Sequence, residues 1–317
     1  MRLVTFSANN VTRMGALVGE QIVDLAGAYT DWLQANPGAA LHSGNQLGFP
    51  ENVLAFLEAG DAAKALATEV LAYAASQEHF AQPGRSRIVY AIDEVTLLPP
   101  IQRPGKIVCL GHNYRRHIAE MGSQMPQYPV IFAKFANTLI GHRQPIVLPR
   151  ASQMVDYEAE LALVIGRRGK DVPATEAAFE YLAGYTIFND VSVRDYQRRT
   201  VQWLQGKTFD GTGPIGPAIV TTDEVQNPYA FEVTLRLNGE VMQHATTDDF
   251  IFPIPTILSY LSEIMTLEPG DIIATGTPSG VGFARQPPVF LKSGDVVQVE
   301  ISELGLLENP VVAFPGT

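Results

Sequence analysis

The sequence predicts an α+β protein rich in β-strands, with a small N-terminal α/β domain before a larger β-rich domain. Apolar runs of strand length, bounded by turn residues, recur along most of the 317-residue chain. Segments with helical spacing interrupt these runs too irregularly for a (β/α)₈ barrel or a doubly wound sheet. Asn238-Gly239, between two strand-like segments, is the strongest short hairpin signal.

In the N-terminal third of the chain, the sequence predicts short strands followed by helices. Strands are expected at 2–6, 16–18 and 21–25, because polar turns separate these apolar runs. Residues 50–76 change to helical spacing, and we expect one helix from Pro50 and a second, Ala-rich helix over 62–75. A strand at 88–90 and a proline-rich, extended connector follow. We therefore predict a small domain with its connector over 1–103 and a second domain over 104–317.

The second domain is predicted to consist of strands with a few inserted helices. Helices are expected at 114–121, 175–182 and 254–264. Strands are expected at 107–110, 130–134, 158–165, 186–189, 218–221, 232–237, 271–274 and 295–301.

The charge balance is acidic, with 33 Asp and Glu against 22 Lys and Arg, a formal net charge of −11. A surface that binds nucleic acid or an anionic membrane needs a basic patch, so we expect neither partner. Apolar residues make up 46% of the chain, enough for a full core. A small anionic substrate is compatible with this composition, because its binding depends on the local electrostatic field of its pocket rather than on the net charge.

Cys109 is the only cysteine, which excludes an intramolecular disulfide and a cysteine-based zinc site. It lies in an apolar run, and we expect it to pack in the core rather than to react. The N-terminal segment lacks the apolar stretch of a signal peptide, and no run approaches the ~18 apolar residues of a spanning helix. We therefore expect a cytoplasmic protein.

The most informative segment places three acids on alternate positions of a predicted strand. Asp156, Glu158 and Glu160 would project from one face, and like charges this close raise one another's pKa unless a cation lies between them. Carboxylate oxygens suit Mg²⁺, Ca²⁺ or Mn²⁺ better than zinc. An edge strand with one solvated face would show the same pattern. Asp190, directly after another apolar run, favours the metal site because functional side chains often follow strand ends.

Five motifs follow one another along the chain. They are Asn113-Tyr114-x-x-His117-x-x-Glu120, Asp156-Tyr157-Glu158-x-Glu160, Asp190-x-x-x-Arg194-Asp195-x-Gln197, Gly206-Lys207-x-Phe209 and Gly276-Thr277-Pro278-Ser279-Gly280. Their order resembles the fumarylacetoacetate hydrolase superfamily, and the resemblance implies a mixed-β roll, fumarylacetoacetase-like, over 104–317.

The resemblance also implies a cofactor, Mg²⁺ or Mn²⁺, held by Glu158, Glu160 and Asp190. Asp156 matches none of these ligands, and we expect it to lie behind them. An ion held in this way stabilises the negative charge of an enolate as a Lewis acid. A 2-oxo acid, which chelates through its carboxylate and keto oxygens, is the expected substrate class. A homodimer is expected by analogy.

The remaining predicted site residues surround this centre. His117 and Glu120, three apart on a predicted lid helix, can touch, and the resemblance identifies them as a His–Glu dyad that activates water. Gln197, Lys207 and Thr277 match residues that contact substrate oxygens, and Lys207 would also add positive charge at the enolate oxygen. Arg194 and Asp195 are expected to pair with each other and hold their loop.

The leading hypothesis from the sequence is a metal-dependent hydrolase that cleaves a C–C bond in an acylpyruvate or another 2,4-dioxo acid. The close alternatives use the same metal and enolate for decarboxylation, isomerisation (tautomerisation) or hydration of a 2-oxo acid. A non-catalytic small-molecule-binding protein is the third hypothesis, and an intact dyad argues against it.

Overall fold

The strands of the computed structural model, which describes residues 1–37, 48–76 and 87–315, confirm the β-rich prediction. In chain order they are β1 (Arg2–Ala8), β2 (Val11–Val18), β3 (Gln21–Asp24), β4 (Val89–Ala91), β5 (Thr96–Leu98), β6 (Ile107–Gly111), β7 (Val130–Lys134), β8 (Leu139–Ile140), β9 (Ile146–Val147), β10 (Val155–Asp156), β11 (Ala159–Ile165), β12 (Leu182–Asn189), β13 (Ser192–Val193), β14 (Gly213–Thr221), β15 (Glu232–Leu237), β16 (Glu240–Thr246), β17 (Ile272–Ala274), β18 (Val296–Ile301) and β19 (Gly305–Val312).

The helices are short apart from one near the N-terminus. The α-helices are α1 (Leu25–Ala35), α2 (Val53–Ser76), α3 (Arg115–Glu120), α4 (Arg194–Gln197), α5 (Leu204–Lys207) and α6 (Ile254–Ile264). Single 3₁₀ turns or short 3₁₀ helices lie at Ile92–Glu94, Ala136–Thr138, Glu176–Tyr181, Thr222–Glu224, Thr247–Asp249 and Gly282–Ala284. Among these helices none combines the length and the apolar character that crossing a bilayer requires.

Two sheets face each other across the main core. The larger, open sheet follows the order β4-β3-β2-β1-β14-β12-β11-β17-β6-β7, with β5 beside β1 and β8 beside β14. The smaller follows β16-β15-β18-β19-β9, and the pair β10-β13 stands apart. Parallel pairs such as β17 with β6 among antiparallel ones make the architecture mixed. Leu161, Leu163 and Ile187 of one sheet share a buried cluster with Val233 and Val299 of the other.

The N-terminal strands are continuous with the larger sheet. Arg2 and Leu3 of β1 pair with Val220 and Ile219 of β14, so β1–β4 extend this sheet beyond the 104–317 region. The division near residue 103 stays a prediction. Helix α2 contains Gly60 at φ +65°, which separates the two helices expected in this stretch.

Predictions of secondary structure that rest on short sequence signals are mostly confirmed. The strand pair β15–β16 turns at Asn238-Gly239, both with positive φ, as the hairpin signal predicted. Helix α6 has the predicted bounds. The segment 175–182 was predicted to be an α-helix, and it forms the tighter 3₁₀ helix Glu176–Tyr181 instead.

Two features differ from the sequence prediction for a visible reason. Helix α1 was not expected, and it begins where the Asp24 carboxylate accepts a hydrogen bond from Gly27 N at 3.1 Å. The acidic strand is interrupted between β10 and β11. Here Tyr157 N donates to the Asp156 side chain and Glu158 N to the Asn189 side chain, so side chains replace the strand ladder.

Candidate active site

Three buried carboxylates meet where β11 and β12 pair. Glu158 precedes β11, Glu160 lies in it, and Asp190 directly follows β12. Ala159 pairs with Asn189, and Asp190 N donates to Glu158 O at 2.9 Å, which brings the 158 and 190 side chains together. One carboxylate oxygen from each acid lies within 4.8 Å of the other two, and all three residues are buried. The residues predicted as metal ligands therefore form one cluster.

Cations surround two of the three acids. Lys207 Nζ, at the end of α5, lies 2.6 Å from Glu158 and 2.7 Å from Asp190. Arg194 Nη1 lies 2.7 Å from the other Glu158 oxygen, and Lys134 Nζ lies 2.9 Å from Asp190. Lys134 and Lys207 are each about 1% exposed, so these pairs are shielded from solvent.

Glu160 differs from its two neighbours because it has no ion pair among the described residues. It accepts a hydrogen bond from Gly276 N at 2.8 Å. Burial, followed by the charges of Asp190 and Glu158, raises its pKa well above the ordinary value. Burial also opposes ionisation of Glu158, but Lys207 and Arg194 outweigh it and lower its pKa to about 2. The centre therefore lacks positive charge on the Glu160 side.

This donor set fits a hard divalent cation. Three carboxylates supply the oxygen ligands that Mg²⁺ and Mn²⁺ prefer, and their mutual repulsion at Glu160 is what a bound cation relieves. No histidine or cysteine belongs to the cluster among the described residues, so the chemistry does not favour zinc.

A glycine-containing loop after β17 holds carboxylates of the protein itself. Gly276 N donates to Glu160, Gly280 N to Glu120, and Gly282 N to Asp156, each at 2.8 Å. These three N–H groups are engaged by carboxylates of the protein, and the loop connects the carboxylate cluster with the dyad.

The predicted dyad is formed on α3. His117 Nδ1 lies 3.0 Å from Glu120 Oε2, while Glu120 Oε1 accepts from Gly280 N. Because Glu120 engages Nδ1, the second ring nitrogen, Nε2, is the one available for proton transfer. His117 is 8% exposed and lines the same cavity as Glu158 and Glu160.

A cavity of about 270 Å³ joins most of the predicted site. Glu120 and Asp190 do not line the cavity themselves. Glu120 is hydrogen-bonded to His117, and Asp190 to Lys207, both of which line it. The rings of Phe132 and Trp203 pack edge to face on one side of the cavity, with their centres 5.4 Å apart. The predicted site residues that line the cavity are His117, Glu158, Glu160, Gln197, Lys207 and Thr277.

The expected pairing of Arg194 with Asp195 is wrong. Arg194 binds Asp156 through Nε at 2.8 Å and Nη2 at 2.7 Å, and it also binds Glu158, whereas Asp195 accepts from Ser152 Oγ. Adjacent residues on a helix point in different directions, so an i, i+1 ion pair was geometrically unfavourable. Arg194 consequently orients a predicted metal ligand.

The side chains predicted to contact the substrate are held in place by hydrogen bonds from neighbouring residues. Gln197 Oε1 accepts from Arg194 Nη1 at 3.1 Å, and Thr277 Oγ1 accepts from Gln243 Nε2 at 2.9 Å. Gln243 also accepts from Ala159 N, which ties Thr277 to the strand that carries Glu160.

The site residues predicted from the sequence did not include Lys134, Gln243 or His112. Lys134 ends the run Val-Ile-Phe-Ala-Lys, and a lysine at such a position is ordinarily solvated. The one signal for its role was that the predicted site held more buried acids than recognised cations. His112 lines the cavity at φ +58°, with its ring 5.5 Å from that of Trp203. No sequence signal identified Gln243.

The chain is similar to known proteins over most of its length. The sequence profile described as fumarylacetoacetate (FAA) hydrolase C-terminal matches residues 106–312. The mitochondrial oxaloacetate tautomerase FAHD2A of Bos taurus is 44% identical over 290 residues, 88% of each chain.

Two solved structures match almost the whole chain. The fumarylacetoacetate hydrolase of Exiguobacterium antarcticum is 34% identical, with a TM-score of 0.76 over 99% of both chains. Maleylpyruvate hydrolase of Sphingobium sp. SYK-6, solved with manganese(II) and pyruvate, is 30% identical, with a TM-score of 0.72 over 99% of this chain and all of that one. The protein therefore belongs to the fumarylacetoacetate hydrolase superfamily.

Proposed function

We propose that the protein is a divalent-metal-dependent tautomerase that interconverts the keto and enol forms of a 2-oxo acid, with oxaloacetate as substrate. The observation that carries the proposal is one cavity bordered by a buried three-carboxylate centre with Lys207 and, on another wall, by His117 of the dyad. Relatives named oxaloacetate tautomerases, 44% identical over 88% of the chain, support the choice of substrate.

Each part of the cavity has a defined task in this reaction. A cation held by Glu158, Glu160 and Asp190 would supply Lewis-acid stabilisation of negative charge on the 2-oxo oxygen. Lys207 donates to the same oxygen, and its own pKa is raised because Asp190 and Glu158 outweigh the effect of burial, so it stays charged. His117 takes the C3 proton at Nε2, and Glu120 stabilises the resulting imidazolium. The enolate oxygen gains a proton from solvent to give the enol, and His117 returns its own proton to solvent. Thr277 and Gln197 orient the carboxylate.

Hydrolysis of a C–C bond in an acylpyruvate is the second candidate, because the same dyad can deprotonate a water molecule. A 30% identical neighbour named maleylpyruvate hydrolase supports it. Decarboxylation of a 2-oxo diacid would use the same enolate. The site residues are common to these reactions, whereas the products differ.

The test is product analysis with three substrates, oxaloacetate, an acylpyruvate and a 2-oxoheptenedioate, in Mg²⁺ or Mn²⁺ and after chelation. We expect metal-dependent exchange of the C3 hydrogens of oxaloacetate with solvent deuterium and an otherwise unchanged mass. Cleavage of the acylpyruvate into two acids, without faster exchange in oxaloacetate, would contradict the tautomerase and establish the hydrolase. Loss of CO₂ as the main reaction would establish a decarboxylase.

A further inference from the structure

Arg198 borders the active-site cavity without an ionic partner. Arg194, one helical turn earlier, uses its guanidinium on Asp156 and Glu158. Within residues 1–37, 48–76 and 87–315, no carboxylate lies within ion-pair distance of Arg198, and its side chain forms no hydrogen bond. The cavity therefore has one cation whose anion the described protein does not supply.

The position of Arg198 is nevertheless fixed. Its guanidinium carbon lies 3.9 Å from the centre of the Phe283 ring, and its backbone N donates to Arg194 O at 3.2 Å. Phe283 N donates to Asp156 Oδ2, the oxygen that also binds Arg194. Stacking occupies the flat face of the guanidinium and leaves its edge, which carries the N–H donors, free to bind an oxyanion.

Charge and size both favour a small anion here. Partial burial and the neighbouring charge of Arg194 lower the pKa of Arg198, so a bound anion would be stabilising, while an arginine stays protonated at neutral pH. A cavity of about 270 Å³ suits a ligand of a few carbon atoms. In the proposed function, Lys207 and Thr277 hold the 2-oxo acid end of that ligand.

We propose that Arg198 binds the second carboxylate of a 2-oxo dicarboxylic acid and thereby makes the site select diacids over monoacids. This inference rests on the proposed function, because it assumes that the 2-oxo acid group binds at the carboxylate centre. Arg198 is thus a specificity-determining residue, and an arginine suits this task because its planar donors match a carboxylate.

The test compares oxaloacetate with 2-oxobutanoate, in which a methyl group replaces the second carboxylate. Exchange of the C3 hydrogens with deuterium, followed by proton NMR, gives kcat/KM for both acids. Arg198→Gln is compared with Arg199→Gln, a matched control whose guanidinium lies over Tyr196, 3.4 Å from the ring centre, and does not line the cavity. Each variant removes one exposed positive charge.

We expect Arg198→Gln to lower the preference for the diacid roughly tenfold or more, and Arg198→Lys to restore part of it. An unchanged preference in Arg198→Gln, or an equal loss in Arg199→Gln, would overturn the inference.

Calorimetry separates this inference from the proposed function. If the protein exchanges neither acid, the proposed function fails, and binding of the same two acids then decides the role of Arg198. Tighter binding of oxaloacetate by the unmodified protein than by Arg198→Gln would support that role, and equal binding would refute it.

Discussion

The carboxylate centre and the His117–Glu120 dyad border one cavity but are held in opposite ways. The centre is anchored by β11 and β12 and surrounded by Lys134, Lys207 and Arg194 in solvent-shielded pairs. The dyad lies on the six-residue helix α3, and a single hydrogen bond ties its glutamate to the loop after β17. A metal centre requires fixed ligands, whereas a base must approach a substrate atom. We therefore expect changes at the centre to affect both stability and turnover, and changes at the dyad to affect turnover alone.

The largest expected effect on stability, together with a loss of turnover, is that of Lys207→Met. Removing this ammonium group leaves Glu158 and Asp190 without a shared buried cation, which costs about 3–5 kcal/mol of unfolding free energy in metal-free protein. Turnover should fall about 100-fold or more, because a donor to the developing enolate is lost. Denaturant unfolding and steady-state kinetics check both. Lys106→Met is the control, since its pair with Asp271 is partly exposed, and an equal loss there would contradict the distinction.

The dyad is tested by His117→Gln and Glu120→Gln. Loss of a positioned general base lowers kcat about 10²–10⁴-fold, and the glutamate variant should lose less because the imidazole remains. Unfolding free energy should change by less than about 1 kcal/mol, since neither side chain has an ion pair with the buried centre. His244→Gln, outside the cavity, is the control. Full turnover in Glu120→Gln would remove the dyad from the mechanism.

Gly280→Ala tests the connection between the two regions. Gly280 has φ +100°, and an added Cβ would lie 2.1 Å from Met242 O, so the loop must shift and its bond to Glu120 must lengthen. We expect a loss of about 3 kcal/mol in unfolding free energy and roughly tenfold in kcat. Gly294→Ala has a similar φ of +96° with no atom within 4 Å, so it isolates backbone strain from the clash. Equal kinetic defects in both variants would contradict the proposed connection.

Acid sensitivity outside both regions is the smallest expected effect. Burial and the nearby charge of Arg143 lower the pKa of His142 to about 4, and its Nδ1 accepts from Glu308 N. A lowered histidine pKa contributes stability that is present above the ordinary value of 6.5 and is lost as pH falls through 4. As the pH falls from 6.5 to 4, the unfolding free energy of the unmodified protein should decrease by about 2 kcal/mol more than that of the His142→Gln variant. This figure allows for the partial exposure of the site. Identical pH profiles would show that His142 contributes nothing.

Residue order along the chain predicted the acids of the centre better than it predicted their surroundings. Glu158, Glu160 and Asp190 belong to short motifs with fixed spacing, and the structure brings them together as the resemblance implied. The continuous acidic strand was wrong because side chains of Asp156 and Asn189 take hydrogen bonds that a strand ladder would use. The Asp156 contact is local, but Asn189 lies 31 positions after Glu158, and a local pattern cannot show that contact.

The counter-charges were harder to predict because they come from elsewhere in the chain. Lys134 lies 56 positions before Asp190, at the end of an ordinary-looking strand, and only the pairing of β6, β17 and β11 carries it into the interior. The partner predicted for Arg194 is wrong, because its ion-pair partners Asp156 and Glu158 precede it by 38 and 36 positions. Tertiary structure determines these contacts, and one sequence does not record them.

The most direct test of the central claim is anomalous diffraction from crystals grown with Mn²⁺. We expect a manganese peak among the carboxylates of Glu158, Glu160 and Asp190, absent in Glu160→Gln and retained in the control Asp195→Asn. A protein that turns over oxaloacetate while its manganese lies elsewhere, or that keeps the peak in Glu160→Gln, would contradict it.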